Sequence, residues 1–282
     1  MPRLRVGRRP DQRRTTRYPA CVQLDLDHPV LVYACDIDGC LAAVGHAAYD
    51  LATLHAMAEL NRASEDDPTV PALTFVTGRP HAYVDAMMQA LDVRLPASFE
   101  NGAGLATRHP YEAWLLPEAE AGREALAEAS RLLEERDDVF LQLGKVASLS
   151  VFASDDGRTV DDLAAQLRTL LAEQALPLEV DPSTDCVNLL LPGLDKAVGL
   201  AALCETLDLP ELAVAGIGDS VGDVGWLRRC GVSLAPAGAV PEVREAVMRV
   251  SRRHDVAAAL EAYELLVGAN RALAARREGS AG

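Results

Sequence analysis

Short apolar runs alternate with amphipathic stretches over residues 31–91, and this alternation predicts strands separated by helices. The run 31–37 is almost wholly apolar until it ends in acids, as in a strand buried on both faces of a parallel sheet. A helical pattern over 51–62 and a second apolar run over 72–76 follow; a glycine and a proline then precede a helix predicted over 83–91. The order strand, helix, strand, helix is typical of a parallel sheet with crossover helices.

The same order returns towards the C-terminus. The pattern predicts a helix over 196–207, a buried strand over 212–217, a helix ending near 229, a short strand over 232–234, and helices near 240–248 and 256–267.

The middle of the chain follows a different pattern. It predicts one helix over 118–135, strands over 139–143 and 146–152, a helix over 160–173, and strands over 178–180 and 186–191. Helix, strand pair, helix, strand pair is α+β order. We therefore predict an inserted domain over 106–192, within a core formed by 29–105 and 193–270 and flanked by tails over 1–28 and 271–282.

Composition limits the classes of function. A chain of 282 residues suggests about two domains, and no apolar run approaches the ~18 residues of a membrane span. The net charge of −15 argues against nucleic acid as a partner. It also means that an anionic substrate needs a local positive site.

The first 20 residues are rich in arginine and are predicted to be a solvated, disordered tail. A polyanion-binding or targeting arm is the alternative; no clean apolar segment supports export. The arginines are Arg3, Arg5, Arg8, Arg9, Arg13, Arg14 and Arg17.

The six cysteines form no Cys-x-x-Cys pair, so a zinc site is poorly supported and free thiols in a reducing cytoplasm are expected.

Acidic residues stand where the first predicted strand ends. If the strand continued, Asp36 and Asp38 would point to one face and repel each other, but a break at Gly39 lets them serve separate roles. Asp36 can then attack phosphorus as a carboxylate nucleophile, and Asp38 can move a proton to and from the reacting oxygens. A turn or a helix cap is the alternative explanation.

Two further positions, one after a predicted strand and one at the start of a predicted helix, carry groups that can bind an anion. Thr77 and Gly78 supply a hydroxyl and a backbone N–H at a helix start, which can hold a phosphate or simply cap the helix. Lys196 begins a predicted helix, where its charge opposes the helix dipole. It is one of two lysines in a chain with 27 lysines and arginines. We interpret it as a compact charge that neutralises a nucleophile and a phosphate, rather than as an ordinary surface lysine.

Asp219 and Asp223 follow the strand predicted over 212–217, among three glycines. Acids clustered without basic neighbours are stabilised by a hard cation, and Mg²⁺ takes one or two carboxylates together with phosphate and water. An acidic turn without metal is the alternative. Since ligands bind at the carboxyl ends of strands in open parallel sheets, these strand-end groups are expected to meet.

In order and separation, these motifs resemble those of the haloacid dehalogenase superfamily over most of residues 30–268. The family's Asp-x-Asp-Gly-Thr matches residues 36–40 except at the last position, and its Gly-Asp-Ser-x-Asn-Asp matches 218–223 except at the asparagine. Thr77 and Lys196 match its hydroxyl and lysine motifs. The stretch 100–103 is similar to the subgroup (IIB) with a large α/β cap between the second and third motifs.

This resemblance implies a Rossmann-like, doubly wound parallel-sheet core with an inserted α+β cap. It implies a Mg²⁺-dependent phosphatase that acts through an aspartyl-phosphate on a small metabolite such as a sugar phosphate, phosphoglycolate or a phosphoglycerate derivative. By this resemblance, Asp36 is the nucleophile and a metal ligand, and Asp38 is the acid/base, with its main-chain carbonyl coordinating the metal. Thr77, Gly78 and Lys196 bind the phosphate. Asp219 and Asp223 bind the metal.

Two positions depart from the family pattern. Cys40 replaces a threonine, so a hydroxyl near Asp38 becomes a weaker thiol, and Gly222 replaces an asparagine near the metal. We expect altered or reduced activity rather than none. A phosphomutase acting on sugar phosphates and a non-catalytic binder of phosphorylated metabolites stay open as alternatives. Dehalogenases lack the second aspartate, and the ion pumps of the superfamily need membrane helices.

Substrate choice is expected to lie in the cap, which closes over the phosphate. Lys145, the other lysine, either pairs with a substrate carboxylate or second phosphate or is an exposed turn residue. Asn188, within an apolar strand, is either a satisfied core amide or a substrate contact. The candidate contacts are Arg79, Asn101, Lys145, Ser183 and Asn188.

Overall fold

The structure is a computed structural model that describes residues 24–43, 47–154, 157–183 and 185–280. The strands are β1 Val32–Cys35, β2 Ala72–Phe75, β3 Ala97–Phe99, β4 Gly104–Arg108, β5 Tyr111–Leu115, β6 Val139–Leu141, β7 Leu149–Ala153, β8 Glu179–Pro182, β9 Val187–Leu190, β10 Val214–Ile217, β11 Val232–Ala235 and β12 Arg249–Val250. The helices are α1 Leu51–Ala63, α2 His81–Ala90, α3 Pro117–Ala121, α4 Arg123–Glu134, α5 Val160–Glu173, α6 Lys196–Leu207, α7 Val224–Leu227, α8 Pro241–Ala246 and α9 Asp255–Ser280. The arginines at positions 3–17, and Cys21, lie outside these residues.

A five-stranded parallel sheet forms the centre of the fold, in the order β12-β11-β10-β1-β2. Its strands are apolar on both sides because helices cover both faces. On one face, β1 side chains pack with α1, α2 and α9 through residues such as Leu54, Met88 and Tyr263. On the other, they pack with α6, α7 and α8 through residues such as Leu200, Trp226 and Val243. These faces confirm the predicted doubly wound α/β class.

The chain leaves β1 and its neighbour β10 towards opposite faces of the sheet. Helix α1, which follows β1, packs on the first face, whereas α7, which follows β10, packs on the second. The carboxyl ends of two such strands border a crevice, the usual ligand position in an open parallel sheet.

A second, antiparallel sheet in the order β6-β7-β9-β8 is inserted between β5 and α6. Helices α4 and α5 pack on it around a hydrophobic cluster of its own, which includes Leu133, Val151, Leu163, Leu167 and Leu189. This arrangement is the α+β layer predicted for the middle of the chain.

A third sheet, β3-β4-β5, joins the central sheet through a parallel bridge between Val76 and Ser98. The sequence pattern did not predict these strands. The predicted domain boundary after residue 105 falls inside β4. Because β4 pairs with β3, and β3 is bridged to the central sheet, β4 belongs to the core rather than to the inserted domain. We propose instead that the inserted domain begins after β5, near residue 117; its end at residue 192 stays a prediction.

Two helix predictions are corrected. The helix predicted over 118–135 is broken at Gly122, where an added Cβ would lie 2.1 Å from a methyl carbon of Leu191. The final helix continues to Ser280, so the predicted tail is wrong for 271–280. Leu273 of this helix is buried in the core cluster, and so is Leu26, which lies within the predicted N-terminal tail.

No helix in the described ranges combines the length and apolar character that a membrane crossing requires.

Candidate active site

The carboxyl ends of β1 and β10 bring together acids that are far apart in the sequence. The two strands pair in register, with Cys35 beside Ile217. Asp36 follows at once, and its N–H donates to the carbonyl of Ile217 at 3.0 Å. Gly39 then turns the chain at φ +70°, and an added Cβ there would lie 2.0 Å from the carboxylate of Asp219. Glycine at position 39 therefore allows the loops after β1 and β10 to approach.

Lys196 joins two of the acids in a buried network. Its Nζ donates to Asp36 Oδ2 at 2.8 Å and to Asp223 Oδ1 at 2.6 Å. Asp36 is 4 % exposed, Lys196 6 % and Asp223 0 %. The lysine is the first residue of α6, and the Asp195 carboxylate caps that helix by accepting from the Val198 N–H at 2.9 Å. The helix start thus holds the ammonium between the two acids.

The Asp223 carboxylate is fixed by its own loop. Its Oδ2 accepts from the backbone N–H and the hydroxyl of Ser220, both at 2.9 Å, and its Oδ1 accepts from Trp226 Nε1 at 2.8 Å. Burial alone would raise the pKa of Asp223, but Lys196 and these donors hold the pKa below its usual value. Asp223 is therefore a fixed anion of the site.

The pKa values of the other acids shift the opposite way. Burial raises the pKa of Asp36, and Asp223 and Asp38 add to this, although Lys196 opposes it. Burial, followed by Asp36 and Asp223, raises the pKa of Asp219 to about 8. Burial disfavours the charged form of Lys196, but its two carboxylate partners outweigh burial and raise its pKa. Asp36, Asp219 and Asp223 thus outnumber the single ammonium, that of Lys196, that contacts them among the described residues.

This excess of acid fits a bound cation. One oxygen from each of Asp36, Asp219 and Asp223 lies within 4.8 Å of the others. Carboxylate oxygens are ligands of hard cations such as Mg²⁺. A dication among them would offset the burial and the neighbouring negative charge that raise the pKa values of Asp36 and Asp219.

The Asp38 carboxylate lies outside this group of three acids. It forms a bidentate pair with Arg79, in which Nε donates to Oδ2 at 2.7 Å and NH2 donates to Oδ1. The guanidinium also lies 4.6 Å from the ring centroid of Tyr83. The predicted acid/base residue is therefore held by an arginine that the sequence suggested only as a substrate contact.

The loop after β2 carries the predicted phosphate-binding groups. Thr77 is fully buried; its Oγ1 accepts from the Arg79 N–H at 3.2 Å, and its carbonyl accepts from the Asn101 N–H at 3.0 Å. Asn101 packs beneath Gly78, where an added Cβ would lie 2.8 Å from Asn101 Oδ1. Gly78 lines the cleft described below, whereas Thr77 and Asn101 do not. In this structure Asn101 supports the loop, and its role as a substrate contact stays a prediction.

A cleft of about 400 Å³ extends from these acids to the inserted sheet. In β7 and β9, Val151 and Leu189 pack towards the helices, so side chains that alternate with them point the other way. The polar side chains of the inserted layer that line the cleft are Gln142, Lys145, Ser150, Ser183, Asp185 and Asn188. Asn188 is half-buried and lines the cleft, and its Oδ1 accepts from the Ser150 hydroxyl at 2.6 Å. This placement favours the substrate-contact alternative over a core amide.

The two departures from the family pattern have different surroundings. Cys40 is fully buried, and burial followed by Asp219 raises the pKa of its thiol, so it stays neutral. Gly222 lies in a short 3-10 turn, where an added Cβ would come no closer than 3.9 Å to Ser220 Oγ. Neither position disturbs the acids.

Three site residues escaped the sequence reasoning. Ser220 and Trp226 fix Asp223, and the spacing Ser-x-x-Asp of a capping box was a usable signal for the first of them. Tyr49 lines the cleft and its hydroxyl forms a hydrogen bond with that of Tyr83. No sequence pattern indicated that contact, because it joins the segment before α1 to helix α2.

Comparisons with known proteins show which family this chain resembles. A sequence profile of a family described as haloacid dehalogenase-like hydrolase matches residues 114–262. The phosphoglycolate phosphatase of Methanococcoides burtonii is 24 % identical over 229 residues, which cover 81 % of this chain and 93 % of the relative. That of Nitrosopumilus maritimus is 25 % identical over 237 residues, covering 83 % and 95 %.

Solved structures show the same fold. A protein of Thermoplasma acidophilum superposes with a TM-score of 0.66 at 20 % identity, over 84 % of this chain and all (100 %) of that one. The sucrose-phosphatase of Synechocystis, solved with sucrose and phosphate, superposes with a TM-score of 0.63 at 17 % identity, over 85 % and 98 %.

Proposed function

The chain belongs to the haloacid dehalogenase-like hydrolases, and from that membership we propose that it is a Mg²⁺-dependent phosphatase of a small phosphorylated metabolite. The observation that carries the proposal is the buried Asp36, which contacts Lys196, lies among two further acids and opens onto the cleft. A carboxylate held beside an ammonium at a ligand-binding strand end is suited to attack a phosphate.

The first step would be attack by a carboxylate oxygen of Asp36 on phosphorus. A P–O bond forms to Asp36 while the P–O bond to the ester oxygen breaks, and Lys196 stabilises the charge on the transferring group. The Gly78 N–H and the Thr77 hydroxyl lie in the loop that would hold the phosphate oxygens. Asp38 would donate a proton to the departing ester oxygen.

In the second step, water would attack phosphorus and release Asp36, with Asp38 taking the proton from that water. Since Arg79 occupies both carboxylate oxygens of Asp38 in this structure, we propose that the arginine changes partner when a substrate anion enters. A guanidinium suits such an exchange because it binds carboxylate and phosphate in the same bidentate manner.

Asp36, Asp219 and Asp223, with the main-chain carbonyl of Asp38, would hold the Mg²⁺. When bound, the metal neutralises charge that develops on the phosphate during transfer.

Two curated relatives are named phosphoglycolate phosphatases, and this supports a small phosphorylated acid as substrate.

We also propose a cytoplasmic location, because reducing compartments keep cysteines as free thiols. Those thiols are Cys35, Cys40, Cys186, Cys204 and Cys230.

The test is phosphate release from a panel of phosphorylated metabolites, with and without Mg²⁺. We expect release that requires Mg²⁺ and falls to background in Asp36→Asn. The matched control is Asp185→Asn, the same change at another acid of the cleft, which should retain activity. Release that persists in Asp36→Asn would refute the covalent mechanism. Isomerised sugar phosphate without free phosphate, read by NMR, would indicate a phosphomutase instead.

A further inference from the structure

The cleft contains one cation that the proposed phosphate chemistry does not use. Among the described residues that line it, Arg79 is paired with Asp38, and Lys196 with Asp36 and Asp223. Lys145 lies in the segment between β6 and β7, and its ammonium makes no hydrogen bond or ion pair with another described residue.

Leaving this ammonium unpaired is unfavourable. Burial lowers the pKa of Lys145, and the largest opposing influence is the carboxylate of Glu100. That carboxylate is already engaged, since it accepts from Val146 N–H at 3.0 Å, Ala147 N–H at 2.8 Å and the Ser148 hydroxyl at 3.0 Å. An unpaired, partly desolvated charge is stabilised by a counter-ion that enters from the cleft.

The position of Lys145 is fixed relative to the phosphate loop. On one side, an added Cβ at Gly144 would contact Pro80, which directly follows Arg79, at 3.9 Å. On the other side, Val146 is bonded to Glu100. Glu100 in turn donates its N–H to the Arg79 carbonyl at 3.1 Å. The backbone that carries Lys145 is therefore anchored beside the loop that carries the phosphate-binding groups.

We propose that Lys145 binds a second anionic group of the substrate, a carboxylate, and thereby selects small phosphomonoesters that carry an acid. This inference rests on the proposed phosphatase function. A carboxylate suits the site better than a second phosphate, because a carboxylate monoanion matches the single charge of Lys145. The other two lining cations, Arg79 and Lys196, already serve the transferring phosphate in the proposed mechanism. Glu100 is a positioning residue, since it touches the turn rather than the cleft.

The experiment compares Lys145→Met with the wild-type protein on two matched substrates. These are phosphoglycolate and phosphoglycolamide, in which an uncharged carboxamide replaces the carboxylate. Losing a hydrogen bond to a charged group should raise KM for phosphoglycolate by about tenfold to a hundredfold. We expect little change in kcat, a change of less than about threefold in either constant for the amide, and partial recovery in Lys145→Arg.

Isothermal titration of both compounds in the presence of Mg²⁺ makes the result independent of turnover. If the wild-type protein hydrolyses neither compound, the proposed function fails, but stronger binding of phosphoglycolate that disappears in Lys145→Met would still support the inference. Equal losses on both compounds would show a structural role for Lys145, and no change on either would show no role. Each of these two results would overturn the inference.

Discussion

Replacing Lys196 by methionine is expected to destabilise the protein strongly. The side chain is nearly isosteric, but the change leaves Asp36 and Asp223 without their shared ammonium while both stay buried. Removing one partner of a buried ion pair costs about 3–5 kcal/mol. Asp223 keeps its bonds from Ser220 and Trp226, so the uncompensated charge falls mainly on Asp36 and the lower end, about 3 kcal/mol, is expected.

The matched control is the same substitution at the only other lysine. Lys145 has no ion pair to lose among the described residues, so Lys145→Met should cost no more than about 1 kcal/mol. In a chain of this size, about 3 kcal/mol corresponds to a fall in Tm of roughly 6–12 °C. Urea unfolding followed by fluorescence measures the difference, since Trp226 is fully buried against the central sheet.

The loss should also depend on pH. Without Lys196, the folded-state pKa of Asp36 rises further above its unfolded value, so the folded variant binds more protons than the unfolded chain. Its stability then falls as pH rises, and the difference from wild type should be larger at pH 8 than at pH 6 in the absence of Mg²⁺. Equal losses in the two lysine variants, or a loss at Lys196 below about 1 kcal/mol at pH 8, would refute the reasoning.

Two further predictions concern the metal site and its loop. Because the pKa of Asp219 is raised to about 8, the metal-free protein holds a proton there at neutral pH, and Mg²⁺ must displace it. Between about pH 7, near which Asp36 loses its proton, and pH 8, Mg²⁺ affinity should therefore rise by up to about tenfold, and it should level off above pH 8. Calorimetry in two buffers measures the proton released, and a pH-independent affinity contradicts this. Gly39→Ala should lose Mg²⁺-dependent activity, because the new Cβ would collide with the Asp219 carboxylate. The control is Gly193→Ala, because Gly193 also has a positive φ (+77°) but an added Cβ there would meet nothing within 4 Å. This variant should lose only about 1 kcal/mol of stability and retain activity. Equal activity losses in the two variants would contradict the proposed collision.

The sequence predicted the central sheet well because buried parallel strands form continuous apolar runs. The runs 31–37 and 72–76 contain β1 and β2, and the helix predicted over 160–173 coincides with α5. The pattern missed the sheet β3-β4-β5; in β5 the residues are mostly exposed and show no alternation. The sequence pattern did not predict the break at Gly122, because the need for glycine there comes from Leu191, a residue distant in sequence that lies against it.

The site was predictable as a set of strand-end residues, but its pairings were not. That Asp36, Lys196 and Asp223 would meet followed from strand order and the family resemblance. That Arg79 would hold Asp38 did not follow, because the pairing depends on how the loops after β1 and β2 approach each other. Likewise, the Glu100 side chain accepts from two backbone N–H groups 46 and 47 residues away and from the Ser148 hydroxyl 48 residues away, once the inserted layer has docked.

The pairing of β1 with β10 has a consequence for how the protein assembles. Val32 lies beside Val214 in the sheet, so the inserted layer is synthesised before the strand that completes the centre of the fold. Non-local pairings of this kind close slowly, because the entropy of a long loop is lost before the contacts form. The inserted layer, with its own hydrophobic cluster, can form first and shorten the effective loop. On the ribosome, β1 and β2 would therefore wait with one edge of β1 unpaired until β10 emerges.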